Sequence, residues 1–167
     1  MKKIPFLWIF DVDGTMTDGG VYYDNNGNEF KKFNTRDAAA FFALKEAGCK
    51  TMVLTGRECA ATKRRMQELG IDFIVQGIKD KKTFVDSFLS EINITYGEVA
   101  CVGDDLNDLA LMNECGFKAC PAGACKEIKA VADYISPFDG GQCAVRDIVE
   151  AFLVERNMWR VGKSVGV

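Results

Sequence analysis

Apolar and polar residues in this chain fall into blocks that read as alternating strands and helices. Positions 6–10 are uninterruptedly apolar, the pattern of a strand covered on both faces. Two short β-prone runs, 21–23 and 29–33, flank Asp24-Asn25-Asn26-Gly27-Asn28, a composition that predicts a hairpin. Asn34-Thr35 offers a cap for a helix over about 36–47, closed by Gly48. Strands are then predicted at 50–54, 73–75, 99–102, 117–120 and 134–135. Helices are predicted between and after them at about 58–69, 81–89, 106–115, 126–131 and 144–155. This succession implies an α/β fold, a Rossmann-like doubly wound parallel sheet covered by helices on both faces. The expected organisation is a single domain over 1–156, with a small hairpin insertion at about 20–34 and a C-terminal tail at 157–167 carrying Trp159. An exposed tryptophan there would be a candidate contact for a partner subunit.

Composition narrows the functional classes. With 167 residues, 48% hydrophobic and 27% charged, the chain can bury one substantial core. No apolar stretch approaches the roughly 20 residues that span a bilayer, so no membrane association is expected and the chain is read as cytoplasmic. A formal charge of −3 argues against a nucleic-acid surface. Seven cysteines, an odd number, are scattered through apolar stretches, unlike a disulfide framework. The chain has no histidine, which removes the Ser-His and Cys-His nucleophile pairs. Acid–base chemistry must come from carboxylates, Lys, Tyr or Cys.

The candidate chemistry stands at strand ends. Asp11-Val12-Asp13-Gly14-Thr15 follows the first strand, and Gly103-Asp104-Asp105-Leu106-Asn107-Asp108 follows the fourth large one. A parallel sheet brings both to one edge, where ligands bind in open α/β folds. So many acids together are costly unless a cation neutralises them, and oxygen ligands at this density suit Mg²⁺. Thr55 and the amide of Gly56, read as opening a helix, offer donors for a phosphate. Lys81 can add a positive charge to the same anion.

These residues, in this order, resemble the four motifs of the haloacid dehalogenase superfamily. Asp18-Gly19-Gly20, Phe33-Asn34-Thr35-Arg36-Asp37, the run from Gln76 to Lys81 and Asp139-Gly140-Gly141-Gln142-Cys143-Ala144-Val145-Arg146 resemble more closely its 3-deoxy-D-manno-octulosonate 8-phosphate phosphatase family. The resemblance implies a Mg²⁺-dependent phosphoric monoester hydrolase acting through an aspartyl-phosphate. It assigns nucleophilic attack to Asp11 and proton transfer to Asp13. It assigns the metal to the Asp11 carboxylate, the Asp13 carbonyl and Asp104, supported by Asp105 and Asp108, and the phosphoryl group to Thr55, Gly56 and Lys81.

Substrate and assembly follow from the same resemblance. Only the hairpin separates the first two motifs, so no cap domain is expected, and the family closes its sites by assembling as a homotetramer. The sugar-acid contacts are expected at Arg57, Arg65, Asn34 and Asp37. Arg57 favours an eight-carbon acid, since the related nine-carbon phosphatases are expected to carry Glu there. Ala38-Ala39-Ala40 and Met16 depart from the family pattern and keep a nine-carbon ulosonic acid as an alternative. A non-catalytic oligomerisation module of a sugar-nucleotide synthase is a second alternative.

Overall fold

A computed structural model describes residues 4–160; Met1 to Lys3 and residues 161–167 of the expected tail lie outside the described residues. The chain opens with β1 (Leu7–Phe10), buried along its whole length. It then leaves the sheet for an antiparallel hairpin of β2 (Tyr22–Tyr23) and β3 (Glu29–Phe30). There follow α1 (Ala38–Glu46), β4 (Lys50–Leu54), α2 (Ala60–Glu68), β5 (Phe73–Val75), α3 (Lys81–Ile92) and β6 (Val99–Val102). The described chain closes through α4 (Leu106–Glu114), β7 (Phe117–Cys120), α5 (Lys126–Val131), β8 (Tyr134–Ile135) and α6 (Ala144–Val154). Six strands form one parallel sheet in the order β5-β4-β1-β6-β7-β8.

The unbroken apolar run of β1 is explained by its central place. Trp8 and Phe10 enter one core with Phe41, Leu44, Val149 and Phe152, while Leu7 and Ile9 enter the other with Val85, Leu111, Met112 and Ile128. The first core is ordered by aromatic edges: Trp8 meets Phe152 at 5.0 Å and 86°, and Phe10 meets Phe41 at 5.1 Å and 69°. Each such fully buried side chain contributes on the order of 2 kcal/mol. From β1 the chain moves first to β4 on one side and later reaches β6 on the other. A crevice opens between such strands at their carboxyl ends.

Several expected boundaries shift, each for a local reason. The helix expected over 36–47 begins as a 3₁₀ turn, Thr35–Asp37, because the Asn34 side chain accepts from the Arg36 amide at 3.0 Å. The helix expected from 58 begins at Ala60, since the Cys59 amide is taken by the Gln76 side chain at 2.9 Å and Cys59 itself is extended. Thr55 and Gly56 therefore lie in a loop rather than at a helix N-terminus. The helix expected to end near 89 runs to Ile92 and stops at Asn93 in the left-handed region. Trp159 is not the exposed contact expected: with Met158 it is half-buried against the core shared by α1 and α6.

Candidate active site

Three strands deliver the chemistry. β1 runs into Asp11, whose amide donates to the Val102 carbonyl at 2.9 Å, so the end of β6 holds the end of β1. β4 runs into Thr55, and β6 runs into Gly103-Asp104. Asp11, Asp13, Thr55 and Gly56 line a cleft of 280 Å³, joined by Arg57, Asp104, Asp105 and Asn107. Gly14 makes the close approach possible: its φ is +94°, and a Cβ there would come within 2.2 Å of Asp104 Oδ2. Thr15 then donates from Oγ1 to Asp104 Oδ1 at 2.8 Å.

Lys81, the first residue of α3, is buried among these acids. Its ammonium donates to Asp11 Oδ1 at 2.5 Å and to Asp108 Oδ1 at 2.6 Å. The N-cap Asp80, accepting from the Thr83 amide at 3.0 Å, fixes the turn that carries it. Asp108 uses its other oxygen to accept from the Asp104 amide at 3.1 Å, which ties the acidic loop to the start of α4. Asp105 is the N-cap of α4, accepting from the Leu106 amide. Asp108 thus serves Lys81 and the backbone with both oxygens, leaving Asp104 and Asp11 as the freer pair.

The electrostatics call for a cation. Carboxylate oxygens of Asp11, Asp104 and Asp108 all lie within 4.8 Å of one another. One ammonium cannot neutralise three acids, so negative charge is left over in a poorly solvated place. Burial, with the charge of Asp108 added, pushes Asp11 up to about 8 against the pull of Lys81. Burial pushes Asp104 up to about 6, with Asp108 adding to it and the Thr15 hydroxyl opposing. Burial works against the charged form of Lys81, but Asp11 and Asp108 outweigh it and hold the ammonium above its ordinary range. Oxygen donors alone, with excess negative charge, fit a hard divalent ion such as Mg²⁺.

The hairpin reaches the same cleft, which the sequence did not reveal. Lys31 pairs with Asp13 and, at 3.1 Å, with Glu29. Glu29 accepts in turn from Arg57, Nε to Oε1 at 3.3 Å, with Nη2 3.1 Å from Oε2 in the same ion pair, and Arg57 donates to the Tyr23 hydroxyl at 3.1 Å. Lys31 and Glu29 sit in a run that reads as an ordinary hairpin strand, with no spacing signal to mark them. Thr15 was within reach of sequence reasoning, lying inside the first acidic motif.

The expected sugar-acid residues separate. Arg57 lines the cleft, but Arg65 pairs with Glu68 at 3.4 Å and is not among the lining residues. Asn34 and Asp37, expected as substrate contacts, are not among the lining residues, and both tie the start of α1 to the run that opens α6. Asn34 donates to the Gly141 carbonyl at 3.2 Å, and buried Asp37 accepts from the Arg146 amide at 2.9 Å. Asn34 lines a different hollow, of 580 Å³, beside Arg36 and Arg146. None of the departures from the family pattern is among the residues lining the cleft; Met16 and Ala40 are core residues, and Ala38 packs against that core.

Comparison with known proteins agrees with this geometry. The family model for haloacid dehalogenase-like hydrolases matches residues 73–140. The 3-deoxy-D-manno-octulosonate 8-phosphate phosphatase of Haemophilus influenzae is 33% identical over 153 residues, which is 92% of this chain and 84% of the relative. The chain belongs to the 3-deoxy-D-manno-octulosonate 8-phosphate phosphatase family. It is a phosphoric monoester hydrolase of the haloacid dehalogenase fold. The crystal structure of the Moraxella catarrhalis phosphatase, in complex with a magnesium ion, a phosphate ion and a KDO molecule, superposes with a TM-score of 0.89 at 37% identity, covering 93% of this chain and 89% of that one. The cobalt-bound form of the Haemophilus influenzae enzyme superposes with a TM-score of 0.85 at 31% identity, covering 92% and 90%.

The raised carboxyl groups predict how stability responds to pH and metal. Asp11 and Asp104 keep protons in the folded state at pH values where the unfolded chain, with its ordinary value of 3.8, has lost them. Stability of the metal-free protein therefore falls as pH rises from about 4 to about 8. A divalent ion prefers the ionised carboxylates, so its stabilising effect grows over the same window. Thermal unfolding with chelator and with Mg²⁺ checks this: the Tm gain from Mg²⁺ should be larger at about pH 8 than at about pH 5, and an equal gain at both would contradict it.

Proposed function

We propose that this chain hydrolyses 3-deoxy-D-manno-octulosonate 8-phosphate to the free eight-carbon sugar acid and inorganic phosphate, using Mg²⁺. The observation that carries the reading is the cleft itself, where Asp11 and Asp13 stand beside Thr55, Gly56 and Asp104 in a chain of this family. Asp11 is the nucleophile: its carboxylate forms a bond to phosphorus while the bond to the sugar oxygen breaks. Asp13 protonates that departing oxygen, then takes a proton from the water that releases phosphate from Asp11. Two smaller displacements replace one difficult one. A proton donor for the departing oxygen suits phosphate monoesters and is not needed for halide.

The Asp11 carboxylate, the Asp13 carbonyl and Asp104 would hold the Mg²⁺, with Asp105 and Asp108 ordering the loop behind them. When bound, the ion supplies charge stabilisation to the phosphoryl oxygens. Thr55, Gly56 and Lys81 complete the cradle, their donors directed at charge that grows in the transition state. The intact acidic cluster, with its excess charge, disfavours a purely structural module. The nine-carbon alternative loses its support, since Met16 and Ala40 lie in the core.

Arg57 is the specificity residue in this reading. Its guanidinium stands at the cleft, with 43% of the side chain exposed, where a sugar carboxylate can meet it as a bidentate pair. The subunit also presents an apolar hairpin surface, with Val21, Tyr22, Tyr23 and Phe30 between 46% and 61% exposed. Such a patch on a small excursion suits burial against other copies, and we propose a homotetramer whose neighbours close each cleft. The seven free thiols suit a reducing cytoplasm, and among the described residues no helix is long and apolar enough to cross a membrane.

Two measurements test this. Values of kcat/KM should favour the eight-carbon over the nine-carbon ulosonic acid phosphate. Arg57→Ala should erase that preference and lower activity on sugar-acid phosphates at least about tenfold more than on an aryl phosphate; equal losses on both would remove Arg57 from recognition. Light scattering should give a mass near four chains, and a fully active monomer would contradict the assembly.

A further inference from the structure

Lys31 has no part in the reaction as described so far, yet its placement is unusual. It follows β3 on an excursion whose aromatic side chains are exposed, while its own side chain is only 1% exposed. Burying an ammonium is unfavourable unless carboxylates pair with it. Lys31 has two, Asp13 through Oδ1 and Glu29 through Oε1. Burial opposes its charge, but the two acids outweigh that and hold it above the ordinary lysine range. Glu29 is itself gripped by Arg57, so the ammonium is fixed from behind. Asp13 is then asymmetric: Oδ1 is held by Lys31, while Oδ2 is buried with no hydrogen-bond partner among the described residues.

We infer that Lys31 is a positioning residue for Asp13, fixing the turn of its carboxyl group at the cleft that Asp13 lines. The inference rests on the reading of Asp13 as general acid and base. In the first step the Asp13 carboxyl O–H bond breaks as the proton passes to the sugar oxygen, whose bond to phosphorus breaks while the Asp11 bond to phosphorus forms. In the second step the Asp13 carboxylate takes a proton from water as the water oxygen bonds to phosphorus and the Asp11 carboxylate leaves. A carboxyl group free to turn would leave the productive geometry part of the time, and a misplacement of about 1 Å can cost on the order of a hundredfold. The hairpin thus contributes to the chemistry of its own subunit, as well as presenting a surface to others.

The test uses the Mg²⁺-loaded enzyme with two phosphates that lack a carboxylate, so recognition by Arg57 does not enter. Ethyl phosphate has a poor leaving group that needs the proton; 4-nitrophenyl phosphate has a good one that scarcely does. Lys31→Met, close in volume, should lower kcat/KM for ethyl phosphate about 10- to 100-fold and for the aryl ester less than about threefold. Lys31→Arg should recover most of the loss. Equal losses on both esters, or none on either, would overturn the inference. Asp13→Asn separates the two levels: a loss confined to ethyl phosphate upholds Asp13 as the acid, so that failure of Lys31→Met alone removes only Lys31. Equal losses from Asp13→Asn would remove both.

Discussion

The whole site depends on more negative charge being buried than one lysine can neutralise. Lys81 lies between Asp11 and Asp108 at 2.5 and 2.6 Å, with Asp104 close by, so the described residues are one cation short of balance. Removing a single partner from such a cluster typically costs about 3–5 kcal/mol, because the remaining charges are left buried. A divalent ion offsets that imbalance, its two positive charges matching what three carboxylates leave over one ammonium.

The rest of the fold holds those charges in place. β1 is buried on both faces, so its end cannot move without disturbing two cores. The Asp139–Arg146 run braces the first motif from the other side. Gly140 lies so close to it that a Cβ would come within 1.8 Å of the Gly14 carbonyl oxygen. Asn34 and Asp37 attach the start of α1 to that same run. Both residues thus belong to the frame behind the first acidic motif.

Much of this was legible in the sequence because it depends on patterns of the chain itself. Apolar blocks of strand length alternating with helical stretches implied the parallel sheet, and acids at the ends of 6–10 and 99–102 had to share an edge. Strand ends were therefore readable, as were the glycine and threonine beside them. What remained hidden depends on distant side chains meeting. Gln76 takes the Cys59 amide and delays α2; Trp159 folds back onto the core; Lys31 and Glu29 bend inward from a hairpin whose local sequence suits any surface turn. Arg57 lines the cleft, but its hold on Glu29 and Tyr23 could not be seen without the fold.

Covalent phosphate on Asp11 is the most direct expression of this account. Rapid acid quenching of the Mg²⁺-loaded enzyme during turnover, followed by mass spectrometry of its peptides, measures it. A phosphorylated peptide should carry the modification on Asp11, and Asp11→Asn should show neither the modification nor turnover. Phosphate on another residue, or turnover retained by Asp11→Asn, would contradict it.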